Sequence, residues 1–217
     1  MKQGQTIGCV AVFIAVLLIT QASVYAAHFI AGGGRYSPIN MPQVSVKFQF
    51  LGVKSRLTDP TVPVIDTHIQ FTIVIPYEDT SGSTRYLRLF TSGTELDLFT
   101  VVSDPPPPPP PPPDRHIITI TGKMLSKLVW DVEPDDQHLT EIVDFAVNAM
   151  DEKAPESGSD SLTLTLHYRE TPQRDTADWL LETLGAELVT CSADICTLTL
   201  AGILTEGEIE SHTAGGE

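Results

Sequence analysis

From residue 44 onward the chain alternates apolar and polar positions. "VSVKFQFLGV" (Val44–Val53) sets Val44, Val46, Phe48 and Phe50 at every second place, with Ser, Lys and Gln between them. Period two is the repeat of a strand that buries one face. "THIQFTIVIPY" (Thr67–Tyr77) carries Ile69, Phe71, Ile73 and Ile75 on one face in the same way. "TRYLRLFT" (Thr84–Thr91) and "ELDLFTVV" (Glu95–Val102) follow, and the short Gly-containing gap "SGT" between them predicts a hairpin. Next come "HIITITG" (His116–Gly122), "KLVWDV" (Lys127–Val132), "TEIVDFAVNAM" (Thr140–Met150) and "SLTLTLHYR" (Ser161–Arg169). In Thr140–Met150 the register is open: Ile142 and Val147 point to a core with either Val143 or Phe145, and a bulge is expected. About eight evenly spaced strands with turn residues between them are the pattern of an all-β sandwich or barrel.

Only "DTADWLLETLGA" (Asp175–Ala186) reads as a helix, with Asp175 or Thr176 as N-cap, Trp179, Leu180 and Leu184 as its apolar stripe and Gly185 as its stop. Together with the strand-loop-strand "ELVTCSADICTLTL" (Glu187–Leu200) it forms an appendix, residues 171–204. That is too small to bury a core alone, so it is expected to pack on the main domain or to belong to a larger assembly. Residues 205–217 read as a disordered tail.

Nine consecutive prolines, Pro105–Pro113, interrupt the strand pattern. A linker would need a complete domain on each side, and about four strands on each side do not make one. The run is therefore expected to be a loop inside one domain, residues 27–170. Nine residues of polyproline II span about 28 Å, more than a seven-residue strand at about 23 Å. The expected consequence is a run that crosses the fold or stands out as a rod, with Val101 and Ile117 on strands that are not hairpin partners.

The N-terminus carries Lys2, the 13-residue apolar run "IGCVAVFIAVLLI" (Ile7–Ile19) and then the small and polar "TQASVYAA". The run is short of the ~20 residues of a spanning helix. It predicts a secretory leader, residues 1–26, cleaved after Ala26, with an uncleaved anchor as the alternative. The mature chain is then expected to be soluble and extracellular, with no later membrane insertion. That compartment argues against the cytosolic domains that read polyproline.

Charge narrows the partners. A formal net charge of −15 argues against nucleic acid and anionic membranes, and leaves basic partners and divalent cations. From Asp175 to Glu217 there are nine carboxylates and no Lys or Arg, which read as a solvated, soluble tail region. Once Cys9 leaves with the leader, Cys191 and Cys196 remain, an even pair in an oxidising compartment. Their CxxxxC spacing, without a neighbouring His, suits neither redox chemistry nor a metal. A disulfide across the hairpin is expected, contributing about 2 kcal/mol because its loop is short.

Two stretches resemble known extracellular proteins. "AHFIAGGGRYSP" (Ala27–Pro38) is similar to the HFxGGxxx[WY]xP opening of a loose group of secreted and cell-surface proteins. His28, Phe29, Gly32 or Gly33, Tyr36 and Pro38 carry the likeness, while Ile30 stands where a basic residue is usual. "DFAVNAMDEKAPESGSDSLTLTLHY" (Asp144–Tyr168) resembles the last hairpin of cadherin-like and Ig-like modules, through Ala149-Met150-Asp151 and Ser159-Asp160-Ser161. The resemblance implies an Ig-like or cadherin-like antiparallel β-sandwich, to which the helix and disulfide-closed hairpin attach.

Candidate chemistry is sparse. Calcium needs six to eight oxygen ligands on loops. Asp131, Glu133, Asp135 and Asp136 in one acidic loop, with Asp151 and Glu152 in another, are the candidates if both loops share one end. Two solvated acidic loops are the competing reading, and the favoured one. Apart from calcium, no cofactor is expected. His28, His68, His116, His138, His167 and His212 are scattered singly, with no HxxxH zinc spacing, GxSxG elbow or phosphate loop. The chain is expected not to be an enzyme, a secreted hydrolase being the least favoured reading. The expectation is a secreted binding or adhesion module for an extracellular protein or glycan. A self-assembling structural subunit of a matrix or surface filament is the alternative.

Overall fold

The period-two stretches all become strands, but longer and fewer than their turn residues suggest. The computed structural model describes residues 26–55, 64–79, 81–104, 115–130, 137–152, 160–169 and 175–213. They form β1 (Ala26–Tyr36), β2 (Ser45–Ser55), β3 (Val64–Glu78), β4 (Thr84–Asp104), β5 (Arg115–Trp130), β6 (Gln137–Glu152), β7 (Ser161–Arg169), α1 (Thr176–Leu184), β8 (Val189–Ser192) and β9 (Ile195–Thr213). The leader candidate, apart from Ala26, and the proline run lie outside the described residues.

β4 runs straight through "SGT" instead of turning there. Its register against β5 shifts between Gly93 and Glu95 and again between Leu96 and Leu98. These are bulges, which bend and coil a strand without ending it. Gly122 lies inside β5 opposite the bulge, where a Cβ would overlap the Glu95 carbonyl oxygen. Gly93, which reads as a turn residue, therefore marks curvature.

Curvature lets the sheet close. Neighbouring strands pair antiparallel in the order β1-β2-β3-β4-β5-β6-β7-β9, and β1 also pairs with β9. The first half of β9 pairs with β7, from Arg169↔Ile195 to Ser161↔Ile203. The second half pairs with β1, from Tyr36↔Leu204 to His28↔Thr213. The result is a closed eight-stranded barrel, with β8 as a short ninth strand on the start of β9. This corrects the Ig-like or cadherin-like sandwich expectation. Alternation reports that one face of a sheet is buried, but not whether its last strand meets its first.

Two further expectations are corrected by the same pairing. Of the tail read as disordered, 205–213 is strand, with Ile209 and Ser211 buried and Glu206, Glu208 and Glu210 exposed. The prolines do not separate distant strands either. Val101 pairs with Ile118 and Asp104 with Arg115, so β4 and β5 are hairpin neighbours. The β4–β5 ladder continues to Leu87↔Trp130.

The inward faces fill the barrel. Phe48, Phe50, Phe71, Phe99, Phe145 and Tyr168 are all buried, with Ile and Leu between them. Eight strands enclose just enough room for side chains, and each large apolar group contributes about 1.5–3 kcal/mol by burial. Strand ends divide between two rims. The upper rim holds Ala26, Ser55, Val64, Asp104, Arg115, Glu152, Ser161 and Thr213; the lower holds Tyr36, Ser45, Trp130, Gln137 and Arg169.

α1 packs at the lower rim. Asp175 caps it, its Oδ1 accepting from the Ala177 N–H at 3.0 Å and the Asp178 N–H at 3.3 Å. Asp178 Oδ2 accepts from the Asp175 N–H in return, completing a capping box. Gly185 ends the helix at φ 71°. Ala177, Leu180 and Leu184 are buried, and the Trp179 ring lies 4.7 Å from that of Trp130.

At the closing seam a Cβ on Gly34 would overlap the Glu206 carbonyl oxygen, whereas one on Gly33 would meet only the Phe48 carbonyl oxygen, at 3.7 Å. Gly34→Ala is expected to cost about 1–3 kcal/mol in urea unfolding, and Gly33→Ala none. Near α1, burial, with the charge of Asp175 added, raises the Glu141 carboxyl above its ordinary value. A raised carboxyl gives stability that is present below the unfolded pKa and lost as pH rises through the folded one. Glu141→Gln should therefore raise the melting temperature near pH 8 and leave it unchanged near pH 3.

Candidate functional site

Two places concentrate polar chemistry: the upper interior and the outer wall over β1. Inside, β5, β6 and β9 bring together His116, Asp151 and Ser211, all buried. The Ser211 hydroxyl donates to Asp151 Oδ2 at 2.6 Å, and His116 Nδ1 lies 2.7 Å from the same hydroxyl oxygen. The role of His116 Nδ1 in that contact follows the tautomer of the ring.

These are the residue types of an acyl-transfer triad in a different wiring. In a catalytic triad the imidazole accepts the serine proton and the carboxylate orients the imidazole. Here the serine hydroxyl donates to the carboxylate itself. The network instead ties strands where their ladder stops. β7 ends its pairing with β9 at Ser161↔Ile203. Beyond that point Asp160 Oδ1 accepts from the Glu152 N–H at 3.0 Å, and its Oδ2 accepts from the Ile209 N–H at 2.7 Å. Asp160 and the Asp151–Ser211 bond together bridge β6 to β9.

The calcium candidates fall only in part among the described residues. Asp131, Glu133, Asp135 and Asp136 lie outside the described residues. Their flanking residues, Trp130 and Gln137, are paired at the lower rim, while Asp151 and Glu152 end the same β5–β6 ladder at the upper rim. The 16-residue strands separate the two ends by about 50 Å. Asp151 is bonded to Ser211, and Glu152 pairs with Arg115 at 3.0 Å. Among the described residues no three His, Cys, Asp or Glu groups are arranged to hold a metal.

Cys191 and Cys196 form the expected disulfide, as ladder partners of the β8–β9 hairpin. The bond indicates an oxidising environment. Among the described residues no helix is long and apolar enough to cross a membrane, which says nothing of strands. His68 is exposed, and His167 Nδ1 lies 3.0 Å from Thr197 Oγ1.

The residues of the N-terminal resemblance build β1. Tyr36 is fully buried and donates to the Leu200 carbonyl at 3.0 Å, and its burial raises the phenol pKa. The outward positions of β1 form the floor of a groove of about 520 Å³. One rung across it is Gln49–Gly33–Glu208, and the next is Leu51–Ala31–Glu210. The groove thus has a floor of small residues, an amide and apolar wall on β2, and two exposed carboxylates on β9.

No protein-family model, curated protein or solved structure matches the chain. The site is therefore read from its own geometry. Sequence reasoning noticed the glycine run for close backbone approach and missed Glu208 and Glu210, which it assigned to a solvated tail. Their period-two alternation with Ile209 and Ser211 was the available signal.

Ser211→Ala removes the hydroxyl shared by His116 and Asp151. It is expected to cost about 1–3 kcal/mol in urea unfolding, the penalty for leaving buried polar groups short of a partner.

Proposed function

We propose that this chain is a secreted, non-enzymatic binding module that engages an extracellular protein or glycan through the outer wall of its barrel. The groove over Gly33 carries this reading: it is a shallow recess lined by both apolar and charged groups, and held on paired strands instead of a loop. The filled interior directs recognition outward. The leader-like residues 1–26, the N-terminal resemblance and the disulfide support the compartment. The direct Ser211–Asp151 bond, which a catalytic triad does not use, supports the non-enzymatic reading.

A structural subunit is the second reading. Phe90, Leu125 and Ile142 form an outward stripe, 40%, 41% and 65% exposed, in which Leu125 and Ile142 are ladder partners. Such a stripe favours self-association.

Surface plasmon resonance against extracellular proteins and glycans, run beside ester and peptide turnover assays, tests the first reading. Saturable binding without turnover is expected. Turnover that disappears in Ser211→Ala would overturn it. A sedimenting oligomer that becomes a monomer in Ile142→Lys would favour the structural subunit instead.

A further inference from the structure

Resting on the binding-module reading, we infer that the groove over Gly33 takes an extended segment of a partner protein carrying Lys or Arg at alternate positions. The first observation is the glycine run itself. A Cβ on Gly32 would come within 2.6 Å of the Phe50 ring, and one on Gly34 would overlap backbone. Packing therefore requires those two glycines. Gly33 has open space above it, since the nearest atom to its Cβ would be a carbonyl oxygen at an ordinary contact distance, 3.7 Å. A glycine inside a strand costs stability relative to a residue with a side chain. At Gly33 the missing side chain opens a channel on the outer wall, a result that barrel packing does not require.

The second observation is charge with a spacing. Glu208 and Glu210 stand two residues apart on the outer face of β9, about 6.8 Å along the strand. Among the described residues neither has an ion pair. Alternate side chains of an extended peptide repeat at the same distance on one face. The β2 and β9 walls are two strand spacings apart, about 9.6 Å, which admits one row of side chains over Ala31 and Gly33. Leu51, 46% exposed, offers apolar cover for the stem of a Lys or Arg whose head reaches a carboxylate. The rung below is Lys47–Arg35–Glu206, and Phe29 and His212 stand above, so the unopposed negative charge is confined to the two middle rungs.

Fluorescence anisotropy with a labelled Thr-Lys-Thr-Lys-Thr peptide tests this. The probe is measured against the wild-type chain, Gly33→Val and the double variant Glu208→Gln/Glu210→Gln, each checked by thermal melting. Both variants should keep the wild-type melting temperature and bind about tenfold more weakly. A Thr-Lys-Lys-Thr-Thr control of equal charge should also bind more weakly to the wild type, and added salt should weaken the alternating peptide. Equal binding by either variant, equal affinity for the two peptides, or equally tight binding of free spermidine would overturn the inference. If the alternating peptide does not bind while the protein or glycan panel still does, and does so in Gly33→Val as well, the groove assignment fails and the binding-module reading stands. If nothing in the panel binds, the module reading itself fails.

Discussion

Closure of the sheet by β1 against β9 is the contact on which the rest of the molecule depends. An open sheet of this length would expose two rows of unpaired backbone groups, and pairing the first strand with the last removes them. The seam draws the two chains together at Gly34 and Gly207, where a Cβ on either would strike the other strand. It also explains the length of β9. One 19-residue strand must meet β7 and β8 at its start and β1 at its end. Where β7 no longer runs alongside, Asp160, Asp151 and Ser211 take over the bridging. The buried polar network thus bridges the strands where the β7–β9 ladder ends.

What could be read from the sequence is what local physics determines. Alternation placed Val46, Phe48, Ile69, Phe71, Ile73 and Leu164 inside because a strand's two faces are set by its own backbone. The helix was legible from Asp175, Leu180, Leu184 and Gly185, since capping and the 3.6-residue stripe also act within a few residues. The disulfide was legible because Cys191 and Cys196 belong to one hairpin. Closure was not legible: Tyr36↔Leu204 and Gly33↔Glu208 join residues from opposite ends of the chain, and no local pattern encodes that register.

The misreadings share one cause, which is that a local residue preference was given its commonest meaning. Gly93 reads as a turn, yet it lies within a strand that stays paired across it. The carboxylates of residues 206–210 read as a disordered tail because charge density is the usual mark of disorder. In a strand whose outer face is solvated, the same carboxylates need only Leu204 and Ile209 on the inner face to hold their place. The proline run was judged by its own stiffness, although the strands on either side are joined by a ladder far longer than the run.

Closure and the proposed binding groove are joined at β1. The inward glycines Gly32 and Gly34 let its backbone lie close to β2 and β9, and side chains on those neighbours then rise above a floor formed by Ala31 and Gly33. A groove at this place is what a tight seam leaves on its outer side when the strand between its walls carries small residues. An occupant that touches Leu51 on β2 and Glu208 or Glu210 on β9 spans the seam. A ligand that binds the folded state alone stabilises it by mass action. Occupancy of this groove therefore favours the closed barrel directly, because the ligand's contacts bridge the strands on either side of the one that completes it.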